Sequence, residues 1–402
     1  MPHAPTPATV VFAHEGLDWI RGSERCLLDL ASRLDPARFR AAVVCDQPSL
    51  AREAARLGIE AIRVDGFGTG PLRSAAVRRR TREQLRSLGA ALVHANMPGV
   101  IPAVLPAARA LRLPVVAHQH IPLTVEERWH TLYHQVDAVA GVARHVVAVL
   151  PAEGMPAERV RVIPNAVDEV RLAAGDATGL RAELGIPASA CVAASVGSLI
   201  RRKWHDLSIA GVAVARARGA DVHLLVCGDG EEAGALRALA AERGVAGAVH
   251  FLGLRGDVGA VLRDATEVYV SAARGEALPL NVLEAQWAGL PVVCSDIEAH
   301  QEAVVPGRTA VLVPVEDAGA VADAVLALVA DAPRRRAMGE AGRALVAERF
   351  SMRRYVGDFT ALYEELLARP RAEYGWRRAG RWPRVYNEWI GGVVRRRLPF
   401  LR

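Results

Sequence analysis

The chain has 402 residues, of which 51% are hydrophobic, with a formal net charge of +6 and a mean hydropathy of +0.15. This length allows two domains with separate cores, and because no run of about 18 apolar residues occurs, we expect no transmembrane helix. The N-terminal residues lack the basic segment and apolar core of a secretory signal. The five cysteines form no C-x-x-C pair, which argues against a disulfide framework or zinc site and favours a cytoplasmic protein.

Short apolar strands alternate with helical stretches along the whole chain, which indicates parallel sheets built from β-α-β units. The strands predicted in the first half are Thr9–His14, Ala41–Cys45, Ala91–His94, Val115–His118, Ala138–Gly141 and Val160–Ile163. Those predicted in the second half are Cys191–Gly197, Val222–Gly228, Val249–Leu252, Glu267–Ser271 and Val292–Ser295. The sequence therefore predicts an α/β protein with two doubly wound parallel-sheet halves that change over near residues 165–190.

The only lysine among the 50 lysine and arginine residues is Lys203. It lies in SVGSLIRRKWHDLSIA, which is a predicted strand end, a short loop and a helix start. A lysine ammonium is a compact point charge on a flexible stem, so it can follow a moving phosphate better than a planar guanidinium. A solvated lysine without function is the alternative interpretation.

Two glutamates, Glu276 and Glu284, are eight positions apart in SAARGEALPLNVLEAQWAGLPVVC. Pro279 suits the first position of a helix, and the glycine and proline of AGLP end that helix. Glu276 is therefore predicted on the loop after a strand, and Glu284 about one turn into the helix. The alternative is an ordinary amphipathic helix with two solvated carboxylates.

The start of this predicted helix is a candidate anion site. The N–H groups of Leu280, Asn281 and Val282 are expected to point out of the helix N-terminus without intrahelical acceptors, where unpaired donors and the helix dipole attract negative charge. Two carboxylates that flank an anion site match the needs of a sugar–phosphate–ribose ligand.

These segments resemble the retaining, family-4 type glycosyltransferases with the GT-B fold, also called group 1. In that family the first Glu of an E-x7-E signature holds the donor sugar and the second holds the ribose, which implies these roles for Glu276 and Glu284. The Lys203 loop resembles the family's G-R-L-x-x-x-K-G element, whose basic residues neutralise the donor pyrophosphate. Ser198 stands where the family has arginine and Trp204 where it has glycine, so Arg202, or else Arg201, would supply the missing cation.

Further segments carry the same resemblance at the ends of other predicted strands. RGSER resembles a G-G-x-E-R loop, with Gly22 kept and Arg21 in place of the first glycine, and LLVCGDG resembles a G-x-G-x loop that begins at Gly228. By analogy, the backbone at Leu254 in FLGLRGDV contacts the base. The resemblance places His120 near the donor sugar and reacting centre, although a structural histidine is the alternative there.

The resemblance implies an N-terminal acceptor-binding domain (1–170), a C-terminal nucleotide-sugar domain (171–350), and C-terminal helices that cross back, followed by a basic aromatic tail (351–402). The two Rossmann-like domains would face each other across a cleft. We expect the acceptor to meet residues on loops of the first domain, namely His14, Asp18, Arg21, Asn96 and Gln119.

The implied activity is transfer of a sugar from a nucleoside diphosphate to a saccharide or lipid-linked acceptor hydroxyl, with Lys203, Glu276 and His120 as catalytic residues. The setting expected from the family is polysaccharide or glycolipid biosynthesis. Because the sequence has no D-x-D motif and no clustered metal ligands, we expect neither a metal nor a cofactor. The alternatives are a nucleotide-sugar epimerase, a phosphorylase, or a non-catalytic membrane- or nucleotide-binding protein of the same fold.

The C-terminal segment 371–402 carries nine arginines against two glutamates. Trp382, Tyr386, Trp389 and Val393 in this segment have the spacing of one helical face. One interpretation is interfacial binding to anionic lipid at the inner face of the cell membrane. The other is a helix folded onto the N-terminal domain. No nucleic-acid-binding motif accompanies the charge, so we expect no nucleic-acid partner.

Overall fold

The computed structural model describes residues 6–67 and 75–376. The described residues form two compact units, one of residues 6–164 together with 355–376 and the other of residues 165–354. The positions expected on one helical face of the tail, Trp382, Tyr386, Trp389 and Val393, lie outside the described residues. No helix of the described segments is long and apolar enough to cross a bilayer.

The described residues of the first unit contain a seven-stranded sheet in the order β3-β2-β1-β4-β5-β6-β7, and every pairing is parallel. Its strands are β1 (Ala8–His14), β2 (Phe39–Cys45), β3 (Glu60–Arg63), β4 (Ala90–Ala95), β5 (Val115–Gln119), β6 (Ala138–Gly141) and β7 (Val160–Val162). The side chains from Val10 to Ala13 in β1 are fully buried, as expected for a central parallel strand covered on both faces.

Helices connect these strands in the described part of the first unit. They are α1 (Gly22–Ala31), α2 (Pro48–Arg56), α3 (Ala75–Ser87), α4 (Ile101–Leu111), α5 (Val125–His130), α6 (Arg144–Val147) and α7 (Val149–Ala152). Because strand order reverses between β1 and β4, the loops that follow these two strands lie at the topological switch point, where ligands bind in open α/β sheets.

The second unit repeats this plan with a six-stranded parallel sheet in the order β10-β9-β8-β11-β12-β13. Its strands are β8 (Cys191–Val196), β9 (Val222–Cys227), β10 (Val249–Gly253), β11 (Val268–Ser271), β12 (Val292–Ser295) and β13 (Ala310–Val313). Here the strand order reverses between β8 and β11, so the loops that follow these strands are the equivalent place for a ligand.

The helices of the second unit are α8 (Glu169–Ala173), α9 (Leu180–Glu183), α10 (His205–Ala217), α11 (Ala233–Glu242), α12 (Val258–Ala265), α13 (Leu280–Trp287), α14 (Glu298–Ala303), α15 (Ala318–Ala330) and α16 (Ala332–Arg349). The next helix, α17 (Met352–Leu367), belongs to the first unit from Tyr355 onward. Residues 165–170, assigned from sequence to the N-terminal domain, cluster with the second unit, where Val167 donates to the Phe350 carbonyl.

The predicted α/β class with two parallel-sheet units is confirmed, and all eleven predicted strands are present within a few residues of their expected ends. The two strands that were not predicted, β3 and β13, are each four residues long and lie at sheet edges. β3 contains no fully buried residue, so it lacks the apolar run that revealed the central strands.

Candidate active site

The second unit brings the solitary lysine and the first glutamate together at the switch point of its sheet. Lys203, on the loop after β8, is ion-paired through Nζ to Oε1 of Glu276, on the loop after β11. Arg202 Nη1 lies 3.0 Å from the other carboxylate oxygen, Oε2, and also donates to the carbonyl of Gly275. Two cations therefore converge on one carboxylate, which leaves an excess positive charge where an anionic ligand would bind.

The Glu276 side chain is only 8% exposed, so its environment decides its charge. Burial disfavours the ionised form, but the charges and hydrogen bonds of Lys203 and Arg202 outweigh burial and lower the pKa of the Glu276 carboxyl below its ordinary value. The side chain is therefore a carboxylate at neutral pH, able to accept hydrogen bonds from sugar hydroxyls.

Trp204 stands where the resembled family has glycine, and its backbone explains that preference. Its φ of 50° and ψ of 46° are left-handed, a conformation that bulky side chains rarely adopt. The indole packs against the guanidinium of Arg274, whose Cζ is 5.1 Å from the ring centroid, and the Arg274 N–H donates to the Arg202 carbonyl at 3.2 Å. These contacts join the Lys203 loop to the Glu276 loop.

The helix start at Leu280 differs from the sequence prediction in two respects. Pro279 is the N-cap residue, in extended conformation, instead of the first helical residue. The N–H of Val282 is not free, since it donates to the Asn281 side chain and to the Pro279 carbonyl at 3.0 Å each. No acceptor is found among the described residues for the N–H groups of Leu280 and Asn281. Asn281 also donates through Nδ2 to the Val196 carbonyl at 2.8 Å, which holds this helix start at the end of β8.

The second glutamate has a cationic neighbour that was not predicted from the sequence. Arg171 Nη2 lies 3.5 Å from Glu284 Oε1, and Arg171 Nε lies 3.9 Å from the carboxylate of Asp168. Asp168 also caps α8 by accepting from the Arg171 N–H, which places this arginine. A sequence signal was available, because Asp168 precedes the helix by one position and is a preferred helix N-cap residue, and Arg171 follows it three positions later.

Three further predicted donor-site positions follow neighbouring strands of the same sheet, whereas Gly22, from the RGSER segment, is the first residue of α1 in the first unit. Ser198 follows β8, Gly228 follows β9 and the exposed Leu254 follows β10. A Cβ on Gly228 would lie 1.9 Å from the Gly197 carbonyl oxygen, so this close approach of two loops requires glycine.

In the first unit, His120 follows β5 and belongs to a buried hydrogen-bonded chain. His120 Nε2 lies 3.2 Å from Asn96 Oδ1, and Asn96 Nδ2 lies 2.9 Å from His14 Nδ1. His14 Nε2 in turn lies 2.9 Å from Glu24 Oε1. Burial opposes ionisation of Glu24, but the hydrogen bond from His14 and further donors lower its pKa to about 2. Glu24 belongs to the RGSER loop motif, but the sequence predicted no role for it.

A second set of rings packs behind His120. The His118 ring centroid is 4.0 Å from that of His120, His118 Nδ1 lies 3.3 Å from His94 Nε2, and His94 Nδ1 lies 2.6 Å from the hydroxyl of Tyr363. Burial lowers the pKa of His94 and of His120 to about 3 and that of His118 well below its usual value. These imidazoles are therefore neutral at physiological pH.

The five predicted acceptor residues fall into two groups, and the prediction that all lie on loops is wrong for His14 and Gln119. His14 is the last residue of β1, as the predicted strand Thr9–His14 already implied, and Gln119 is the last residue of β5, which extends one residue beyond its predicted end. Gln119 is buried, donates to the carbonyls of Ile121 and Val146, and accepts from Tyr133.

Asn96 follows β4 but is also fully buried. The other two acceptor candidates, Asp18 and Arg21, are exposed on the loop after β1. The Asp18 carboxylate accepts from the Ser49 N–H at 2.7 Å, and the Arg21 guanidinium lies 3.7 Å from the centroid of the Trp19 ring. Contact of any of these five with an acceptor stays a prediction.

Comparison with protein families accounts for both units. Residues 20–171 match the profile described as Glycosyltransferase Family 4, and residues 176–345 match that described as Glycosyl transferases group 1. The chain belongs to the family-4 type glycosyltransferases. The resemblance recognised from the E-x7-E segment and the Lys203 loop is therefore confirmed.

Curated relatives of this glycosyltransferase chain match about half of it. It is 35% identical over 209 residues to the lipopolysaccharide core biosynthesis glycosyltransferase LpsE of Rhizobium meliloti, which is 52% of this chain and 58% of that protein. It is 33% identical over 223 residues to the D-inositol 3-phosphate glycosyltransferase of Stackebrandtia nassauensis, which is 53% of this chain and 50% of that protein. The chain thus spans little more than half the length of these relatives.

Solved structures share the fold over most of the chain. Anabaena Alr3699/HepE in complex with UDP superposes with a TM-score of 0.78 at 19% identity, covering 89% of this chain and 100% of that chain. A glycosyltransferase from Rickettsia africae gives a TM-score of 0.79 at 15% identity, with 90% and 100% coverage. These likenesses confirm the GT-B fold class.

Proposed function

We propose that the protein transfers a glycosyl group from a nucleoside-diphosphate sugar to an acceptor hydroxyl, with retention of anomeric configuration and without a metal ion. The observation that carries the proposal is the convergence of Lys203 and Arg202 on the buried carboxylate of Glu276 at the switch point of the second sheet. Family membership supports the transferase class.

The chemistry that this arrangement supports is stabilisation of a leaving group. As the bond from the anomeric carbon to the diphosphate oxygen breaks, negative charge grows on the diphosphate, and Lys203, Arg202 and the N–H groups at the start of α13 are preorganised donors for it. The leaving group is already an anion, so no general acid is required. The acceptor oxygen forms the new bond on the face from which the diphosphate departs, and the diphosphate takes the acceptor proton.

Glu276 has the role of orienting the donor sugar and stabilising positive charge that develops at its ring. Its own charge is balanced by Lys203 and Arg202. A bound diphosphate competes for the same two cations, which frees carboxylate lone pairs for sugar hydroxyls. We assign the ribose hydroxyls to Glu284, whose neighbour Arg171 would move aside or contact the nucleotide.

For the donor, uridine diphosphate is the first candidate, since the structure of HepE holds UDP and another holds UDP-glucose. For the acceptor, a saccharide or lipid-linked saccharide in surface polysaccharide or glycolipid assembly fits the name of the LpsE relative. We further propose peripheral association with an anionic membrane surface through the Arg- and Trp-rich segment 371–402.

The test begins with thermal-shift measurements of the full chain against uridine, guanosine and adenosine diphosphates and their sugars. The best donor is then incubated with candidate acceptors, and NMR of the product reports the anomeric configuration. Stabilisation by one nucleotide series and an α-linked product from an α-linked donor are expected. An inverted product would contradict retention, and full activity that requires added divalent metal would contradict metal independence.

The alternative activities give different products in the same assay. A phosphorylase would need inorganic phosphate for turnover, and an epimerase would change the sugar of the nucleotide without any acceptor. A non-catalytic binder would show the thermal shift with neither hydrolysis nor transfer. Binding to vesicles that is no stronger for anionic than for neutral lipid at low salt would contradict the membrane association.

A further inference from the structure

The buried chain Glu24–His14–Asn96–His120 in the first unit has a direction that its hydrogen-bonding groups determine. Glu24 is 3% exposed, His120 is 9% exposed, and His14 and Asn96 are fully buried. In such surroundings each polar atom needs a complementary partner, because an unmatched donor or acceptor costs free energy.

The orientation of the Asn96 amide follows from the backbone. Asn96 Nδ2 lies 3.0 Å from the carbonyl oxygen of Ser23, and a carbonyl oxygen can only accept. The nitrogen must therefore face Ser23 and His14, and the amide oxygen must face His120. An amide oxygen can only accept as well, so His120 carries its proton on Nε2.

The other end of the chain agrees with this direction. Since Asn96 Nδ2 donates to His14 Nδ1, His14 carries its proton on Nε2, where Glu24 Oε1 accepts it. The second oxygen of Glu24 is held by the backbone N–H of Arg21 at 3.0 Å and by the hydroxyl of Ser23 at 3.2 Å. Glu24 is thus both part of the capping box of α1 and the terminal acceptor of the chain.

We infer that Glu24, acting through His14 and Asn96, is a positioning residue that holds His120 as its Nε2–H tautomer and leaves the Nδ1 lone pair for a ligand. Within the described residues no hydrogen bond joins Nδ1 of His120. A neutral imidazole with a free lone pair accepts from a hydroxyl and disfavours a phosphate or carboxylate oxygen. The ligand group that meets His120 is therefore a sugar hydroxyl, a conclusion that rests on the proposed function, whereas the tautomer does not.

The hydrogen-bonded series from Glu24 to His120 also joins two elements that are separate in the sequence. Arg21 is the N-cap residue of α1 and Gly22 and Ser23 are its first two residues, and Asn96 and Glu24 both bind this helix start. A ligand that moves the helix start would therefore disturb the tautomer and orientation of His120.

The tautomer can be measured directly on the full chain with uniform ¹⁵N labelling and long-range correlation of the histidine ring nitrogens. His120→Gln identifies the signals by their loss. At neutral pH we expect a protonated Nε2 and an unprotonated Nδ1 for His120. A proton on Nδ1, or a ring that averages between the two forms, would overturn the inference.

Two variants of similar size test the role of Glu24. Glu24→Gln keeps one oxygen that can accept from His14, while its NH2 group can donate to the Ser23 hydroxyl and loses the contact with the Arg21 N–H. We therefore expect this variant to be less stable but to retain the His120 signals, with kcat within about threefold of the natural protein. Glu24→Leu offers no acceptor, so we expect a mixed His120 tautomer and a kcat lowered about tenfold or more, with KM for the donor changed by less than about threefold. Asp29→Asn is the control, because it replaces a carboxylate on the same helix that takes no part in the hydrogen bonds from Glu24 to His120.

A folded Glu24→Leu variant with unaltered His120 signals and unaltered kcat would contradict the inference. If that variant does not fold, Asn96→Asp gives an independent result: it removes the N–H that faces His14, so His14 should gain a proton on Nδ1, and an unchanged His14 ring would refute the chain. Expected ring signals without transfer from any sugar nucleotide would leave the tautomer standing and reject the proposed function. Sugar transfer by a protein whose His120 carries its proton on Nδ1 would support the proposed function and reject the inferred tautomer.

Discussion

The indole of Trp204 lies against the guanidinium of Arg274, 5.1 Å from ring centroid to Cζ, while its backbone is left-handed with φ of 50°. A residue with a Cβ pays an energetic penalty of about 1–2 kcal/mol in this conformation. The strained residue directly follows Lys203, so its contact with Arg274 can hold the Lys203 loop in place.

Replacing Trp204 separates backbone strain from the ring contact. Trp204→Gly removes both the strain and the ring, whereas Trp204→Ala removes only the ring. We expect the alanine variant to be less stable than the glycine variant by about 1 kcal/mol, and both to lose turnover through a looser Lys203 loop. Urea unfolding and kcat measurements check this, and equal stability of the two variants would show that position 204 is not strained.

Lys203→Ala and Glu276→Ala should each lower turnover by about two orders of magnitude or more, because each removes a preorganised charge from the leaving-group site. Initial rates of sugar transfer test this, with circular dichroism to establish folding. Arg218→Ala is a matched control. Arg218 lies just after the C-terminal end of α10, whereas Lys203 precedes the N-terminal end, and it forms an exposed ion pair with Asp323. Near-normal turnover in a folded Lys203→Ala or Glu276→Ala variant would refute the site.

Glu284→Gln should weaken donor binding more than it slows the chemical step, because ribose hydroxyls do not change during the reaction. We expect KM for the sugar nucleotide to rise about tenfold, as after loss of a hydrogen bond to a charged group, with kcat nearly constant. The natural protein should bind a donor that lacks the ribose hydroxyls more weakly than the complete donor. The Glu284→Gln variant should bind these two donors equally well. If the variant still discriminated fully between the two donors, Glu284 would not contact the ribose.

Acidification should destabilise the first unit through its buried histidines. Burial lowers the pKa of His94 and His120 to about 3 from an ordinary value of 6.5. Below pH 6.5 the unfolded chain therefore binds protons that the folded chain cannot, and stability falls as the pH drops toward about 3, by up to about 1.4 kcal/mol per pH unit for each histidine.

Hydrogen–deuterium exchange of peptides from β4 and β5, compared at pH 7.5 and 5.5 after correction for intrinsic rates, measures this loss within the first unit. His118→Phe removes one of the buried imidazoles, and its stability should depend less steeply on pH. Protection that is the same at both pH values would contradict the prediction.

The central strands could be predicted because they are continuous apolar runs that both faces bury, as Val10–Ala13 illustrates. The edge strand Glu60–Arg63 could not, because its charged ends and half-exposed residues resemble a loop. Pro279 was placed one position too far into its helix, because its fixed φ suits the first helical residue and the adjacent N-cap alike, and only its extended ψ of 90° distinguishes them.

The site was predictable where a contiguous motif carried it, as for Lys203 and Glu276. It was not predictable where the partner is distant in sequence and has no motif of its own. Asn96 is 82 residues from His14, and nothing in the local sequence of either indicates that they are hydrogen-bonded. Arg171 is an intermediate case: its place after the Asp168 cap can be read from the sequence, but its pairing with Glu284, 113 positions away on a separate helix, cannot.

Tyr355 and Tyr363 of α17 make contacts that the first unit can form only late in synthesis. Tyr363 is hydrogen-bonded to His94, and Tyr355 donates to the carbonyl of Cys26. The entire second unit lies between these partners in the sequence. On the ribosome, the N-terminal sheet therefore cannot form these contacts until residues up to Tyr363 have been synthesised. A protein truncated after residue 164 would lack these aromatic contacts, and the N-terminal unit should be produced for study only with α17 joined to it.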